Sequence, residues 1–125
     1  MILLNYGHPL TEGQLAQVTE LAGAAPDVRT IVTQIDPQQA LSPQAAMLAD
    51  AAGLDSQTWQ TTPLIVGLPG LAALSAALLA EIHGRSGHFP AIIRLRPVAG
   101  ALITSYEIAE VLNLEVLRAE ARTRR

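Results

Sequence analysis

The chain has 125 residues, half of them apolar and only 3% aromatic, with a net charge of −3 and no cysteine. That length makes one domain, able to bury roughly two-thirds of its unfolded surface without metal or disulfide. The missing cysteines exclude a disulfide framework, a thiol nucleophile and a thiolate metal site, and fit a reducing cytoplasm. The acidic balance argues against non-specific binding of long nucleic acid.

Met1 to Tyr6, "MILLNY", is a continuous apolar run of the kind that makes a buried strand, and Gly7-His8-Pro9 ends it. It has no charged leader region and is too short for a signal peptide. Thr11-Glu12-Gly13-Gln14 has capping-box spacing, and Leu15, Val18, Leu21 and Ala22 follow at helical intervals up to Gly23. Val28 to Ile35, "VRTIVTQI", alternates and is rich in β-branched residues, so it predicts a second strand. Ser42-Pro43 predicts an N-cap with proline at the first helical position, and Gly53 a helix end. Asp55 to Gln60 reads as a short turn carrying Trp59, and Leu64 to Val66 as a third strand.

Leu71 to His83 is apolar nearly all round, which predicts burial on more than one side, within the domain or against a second copy. Gly84 and Gly87 are expected to stop it. Pro63 to Ala80 is also the one uncharged run near membrane-spanning length, but Gly67, Pro69 and Gly70 divide it into two pieces too short to span, so no membrane is expected. Ala91 to Pro97 predicts a fourth strand. The connection from Val98 to Ser105 is too short for a crossover helix, so Tyr106 to Leu112 predicts an antiparallel strand beside the fourth. Asn113 then caps a last helix running into the arginine-rich end. The whole predicts an α/β, Rossmann-like domain: a mainly parallel sheet, helices on both faces and a C-terminal antiparallel strand.

In such sheets ligands bind beyond the carboxyl ends of the strands, at a switch in strand order. That rule nominates Asn5, Tyr6, Gly7 and His8 after the first strand and Gly67, Leu68, Pro69 and Gly70 after the third, besides Gln34 to Pro37 and Arg96 to Gly100. Glycine amides and the start of the following helix suit an anion, although two glycines equally suit a tight turn between buried elements. Phosphate-loop and dinucleotide fingerprints are absent. Arg94 and Arg96 share one strand face, where they would receive phosphates or pair with Glu107 and Glu110 across the hairpin. His83 and His88 lie at the amino end of the fourth strand, on the wrong side for the ligand, and no metal ligand set assembles around them. No carboxylate cluster or nucleophile elbow is visible, and no cofactor is implied.

The segments "MILLNYGHPLTEGQLAQV", "WQTTPLIVGLPGLAALSAALLAEIHGRSGHFPAIIRLRPV" and "YEIAEVLNLEVLRAEARTRR" resemble the small CRISPR-associated Csx proteins numbered fifteenth in that series, which accompany type III CRISPR systems. The likeness spans the chain and is weakest from Val28 to Ala52. Its most specific parts are His83-Gly84-Arg85, Gly87-His88-Phe89-Pro90 and Arg94-Leu95-Arg96-Pro97. The resemblance implies a CARF-like domain whose ligand is a cyclic oligoadenylate, foremost the two-fold symmetric tetra-adenylate, taken up by a homodimer or higher homo-oligomer. Phosphate donors would then come from His8, the Gly67–Gly70 turn and the arginines, and adenine contacts from Tyr6, Leu68 and Pro69. Stoichiometric sequestration of the messenger is the first expectation. Metal-independent ring cleavage with His8 as acid or base is the second, and a docking subunit the third.

Overall fold

The computed structural model describes all residues 1–125. Ten elements follow one another: β1 (Ile2–Asn5), α1 (Glu12–Ala22), β2 (Asp27–Thr30), α2 (Leu41–Ala51), α3 (Ser56–Thr61), β3 (Leu64–Gly67), α4 (Ala72–Ser86), β4 (Ala91–Pro97), β5 (Tyr106–Asn113) and α5 (Leu114–Arg122). They build one five-stranded sheet of order β2-β1-β3-β4-β5. The first three pairings are parallel, and β4 with β5 is antiparallel. The chain is therefore a Rossmann-like α/β domain, closed by the antiparallel strand that its short last connection requires.

Alternate residues of the central strands feed two cores. Ile2, Leu4, Leu64 and Val66 point to one face, where Leu48 of α2, Trp59 of α3 and Leu74, Leu78 and Ile82 of α4 cover them. Leu3, Ile65, Ile93 and Ile108 point to the other face and meet Val18 of α1. The near-continuous apolar strands β1 and β3 thus follow from burial on both faces. Arg85 ties α4 to α2, with Nη1 2.8 Å from Asp50 Oδ1 and a contact to Glu81 one turn back.

Local capping signals hold where their partners are local. Thr11 Oγ1 accepts from the Gln14 amide and Gln14 Oε1 accepts from the Thr11 amide. Asn113 Oδ1 accepts from the amides of Glu115 and Val116 and starts α5. Gly53, at φ 66°, follows α2.

Four expectations need correction. β2 ends at Thr30, not Ile35, because its one neighbour, β1, ends at Asn5. The last bond of the ladder is Ile31 N–H to Asn5 O, and residues 32–35 run on without a backbone partner, held by Thr33 Oγ1 donating to Tyr6 O at 2.9 Å. α2 begins one residue before Ser42, capped by no side chain, and Pro43 sits third in the helix, still within the first turn where its missing N–H costs nothing. Gly84 lies inside α4. The helix continues to Gly87, whose φ of 82° makes the left-handed cap and whose amide donates to His83 O. Finally, α4 buries only the stripe Leu74, Leu78, Ile82 and Ser86, while Leu71, Ala72, Ala73, Ala76 and Ala80 face solvent, so the domain itself covers one side of this apolar helix.

Candidate functional site

α1 packs on one face of the sheet and α2, α3 and α4 on the other, so strand order reverses between β1 and β3. At their carboxyl ends the connections diverge, and a cleft of about 820 Å³ opens there. Its floor and walls come from the turn after β1 (Asn5, Tyr6, Gly7, His8) and the turn after β3 (Gly67, Leu68, Pro69, Gly70). All eight nominated residues of these two turns line it together.

Asn5 organises the junction. Its side chain is 1% exposed, with Nδ2 donating to His8 O at 2.8 Å and Oδ1 accepting from the Gly7 amide at 3.0 Å. This amide lies across the backbone of Gly67. A Cβ there would collide with Asn5 Oδ1 and stand 3.2 Å from its Cγ, so no residue but glycine fits without displacing Asn5. Gly70 differs: nothing lies within 4 Å of its would-be Cβ, and its φ is not positive. The first glycine is required by close approach, and the second leaves open the space a ligand would enter.

α4 starts at that opening with Leu71 as N-cap, which offers no side-chain acceptor to the first-turn amides. The Gly67–Gly70 turn lines the cleft and leads directly into α4, whose N-terminus carries the positive end of the helix dipole. His8 is exposed on the opposite lip. Among the lining residues there is no Asp, Glu, Lys or Arg. An anion in this cleft would be met by backbone N–H groups and hydroxyls rather than by ionic side chains.

Two nominated groups are placed elsewhere. Tyr6 contributes only its main chain to the cleft. The ring is 2% exposed in the core, its hydroxyl donates to Leu48 O at 3.1 Å, and burial pushes the phenol far above its ordinary range. It is not free to stack on a base. Arg94 and Arg96 point to the face opposite the cleft, because the alternate residues Ile93 and Leu95 line it. They pair with Glu110 at 2.9 Å and Glu107 at 3.0 Å, the cross-strand alternative. The register slips by one at Ala109, between the two pairs. The tail of β2, Thr30 to Thr33, forms a third wall, with Val32 80% exposed. Tyr106, Gln14 and Leu95 also line the cleft. Sequence reasoning missed these because they reach it by tertiary packing. The one available signal was that β4 and β5 outlast β3.

His83 and His88 lie at the other end of the sheet, as expected. His83 packs on Phe89 with ring centres 4.4 Å apart, and His88 Nδ1 lies 3.0 Å from Ser86 O. No group of three or more His, Cys, Asp or Glu converges as a metal site, and no helix is long and apolar enough to cross a membrane.

Fold and site together define a Rossmann-like domain with a switch-point cleft of low charge. No family profile, curated protein or solved structure matches the chain.

Proposed function

We propose that this chain binds a cyclic oligoadenylate, the tetra-adenylate ring foremost, and holds it intact, so damping type III CRISPR signalling by sequestration. The observation that carries this reading is the switch-point cleft itself, lined by the turns after β1 and β3 and by apolar side chains, next to a helix start with no side-chain cap, with His8 the lone imidazole and no carboxylate to act as base. Its volume lies near the top of the small-molecule range of about 300–1,000 Å³. A ring of four nucleotides is larger than such ligands, so one cleft would enclose part of it. A two-fold dimer would present the cleft twice around the ring's own axis. Leu102 and Ile103, 101% and 80% exposed in the loop between β4 and β5, are apolar surface for such an assembly.

The test is native mass spectrometry after incubation with cyclic tri-, tetra- and hexa-adenylate. An intact tetra-adenylate on two chains is the expected species. Linear products ending in a cyclic phosphate would instead make the chain a ring nuclease and His8 its first catalytic suspect. No bound nucleotide would refute both and leave a docking subunit. Gly70→Glu places a carboxylate in the open cleft and is expected to remove ring binding with the far-ultraviolet spectrum unchanged.

A further inference from the structure

The chain has only four aromatic residues of the Phe, Trp and Tyr type, and the structure commits three of them to packing. Tyr6 and Trp59 are 2% and 3% exposed in the larger core, and Phe89 packs on His83 far from the cleft. The fourth, Tyr106, is 53% exposed and stands in the cleft wall. An exposed aromatic within an apolar cleft, in a chain this poor in aromatics, is a surface for a flat ligand group.

The wall exists because the antiparallel hairpin outlasts the parallel sheet. β3 pairs with β4 up to Val66 and Ile92, yet β4 runs on to Pro97 alongside β5. Ile93, Leu95 and Tyr106 line the cleft on this overhang. Tyr106 is also held. Gln14 Nε2 donates to Tyr106 O at 2.9 Å, while Gln14 Oε1 accepts from the Thr11 amide at 3.0 Å, so one side-chain amide joins the start of α1 to the start of β5. The Gly67–Gly70 turn lies two strands across the sheet, about 10 Å at ordinary strand spacing, and Tyr106, paired with Pro97, stands four residues further along β4 than the level of Gly67, about 13 Å more along the strand direction. The cleft therefore has the strand-end turns at one end and an aromatic face at the other, the two kinds of surface that a phosphate and a base take.

We infer that Tyr106, held by Gln14, is the stacking platform for an adenine base, with Leu95 beside it. This rests on the proposed function and deepens it: it assigns the base contact that Tyr6, being buried, cannot make. Stacking does not read base edges, so the platform supplies affinity for a large π face, and a purine is favoured over a pyrimidine.

The test measures cyclic tetra-adenylate binding to wild type, Tyr106→Phe, Tyr106→Leu and Gln14→Leu by calorimetry, with circular dichroism confirming the fold. Tyr106→Phe is expected to keep wild-type affinity within about threefold, and Tyr106→Leu to lose about 5- to 150-fold for each stacked base, hence about 25-fold or more for a ring held by two chains. Gln14→Leu should weaken binding on the wild-type background and add nothing on Tyr106→Leu, as a positioning residue requires. Equal binding by wild type and Tyr106→Leu would overturn the platform and leave the proposed function standing. If wild type binds no ring, the proposed function fails, and adenosine 5′-monophosphate decides the platform separately. Upfield shifts of its adenine H2 and H8 with wild type, lost in Tyr106→Leu, would support it, and their absence with wild type would overturn it.

Discussion

Gly67→Ala is the sharpest probe of the junction between β3 and α4. The added methyl would collide with Asn5 Oδ1 and come within 3.2 Å of Asn5 Cγ and 3.4 Å of its Cα. β1 and β3 are paired in register at Asn5 and Gly67, so neither backbone can withdraw without breaking the ladder. The side chain of Asn5 has to move, and it gives up its bonds to His8 O and the Gly7 amide. A buried amide left without partners costs about 1–3 kcal/mol, and residual crowding adds about 1 kcal/mol. The expected destabilisation is about 2–4 kcal/mol, or about 8–16 °C in melting temperature for a chain of this length. Gly70→Ala meets nothing and has no positive φ, so it should melt with wild type or up to about 1 kcal/mol above it. Denaturant titration of Gly67→Ala, Asn5→Ala and the double variant checks the cause. With the amide gone the alanine fits, so the penalty of Gly67→Ala should shrink by more than half on the Asn5→Ala background. Wild-type stability of Gly67→Ala, or an undiminished penalty in the double variant, would refute the argument.

Other expectations follow from the same geometry. Arg94→Gln and Arg96→Gln should leave ring affinity within about twofold by calorimetry, because exposed cross-strand ion pairs on the far face carry little energy. A large loss in either would return these arginines to the site. Leu78→Ala removes a side chain with 0% exposure between α4 and the sheet and should cost about 2–5 kcal/mol in denaturant unfolding. The hydrogen bond that Glu115 accepts from the Phe89 amide holds its carboxyl below the usual range. A lowered folded-state pKa means that the stabilisation is present above the unfolded value of about 4.3 and is lost as pH falls through the folded one. Hydrogen-exchange protection of the Phe89 amide should therefore fall in acid below about pH 4, and Glu115→Gln should flatten that dependence. A profile unchanged in Glu115→Gln would remove this contact as the source of the pH dependence.

How far the sequence could be read differs from feature to feature. Thr11 with Gln14, and Asn113 with the two amides after it, are contacts within one turn, so their patterns specify them wherever the rest of the chain goes. The length of the 98–105 connection dictated an antiparallel partner for β4. The alternation of strands and helices dictated a parallel sheet with its ligand end at the carboxyl termini, and this was enough to find both turns of the cleft. Their sequences end the strands where the pattern breaks.

Everything that depends on a distant neighbour was open until the chain was folded. The β-branched run from Val28 to Ile35 has strand propensity throughout, but a strand needs a ladder and β1 supplies one only as far as Asn5. Gly84 is an unfavourable helix residue by about 1 kcal/mol relative to alanine. Yet Arg85 held by Asp50 and Glu81, together with Ile82 and Ser86 in the interior, carries α4 through it. Period-two alternation put Arg94 with Arg96 and Ile93 with Leu95, but which pair faces the cleft was decided by α1 packing over Ile93. Tyr6 and Tyr106 look equally available in the sequence. One was drawn into the core by Leu48 and the other held in the cleft wall by Gln14, 92 residues away. By itself the sequence determined the order of elements, their local caps and the edge of the sheet that opens. Tertiary structure decided which side chains reach that opening, because a side chain's direction follows from what packs against its element and not from its neighbours along the chain.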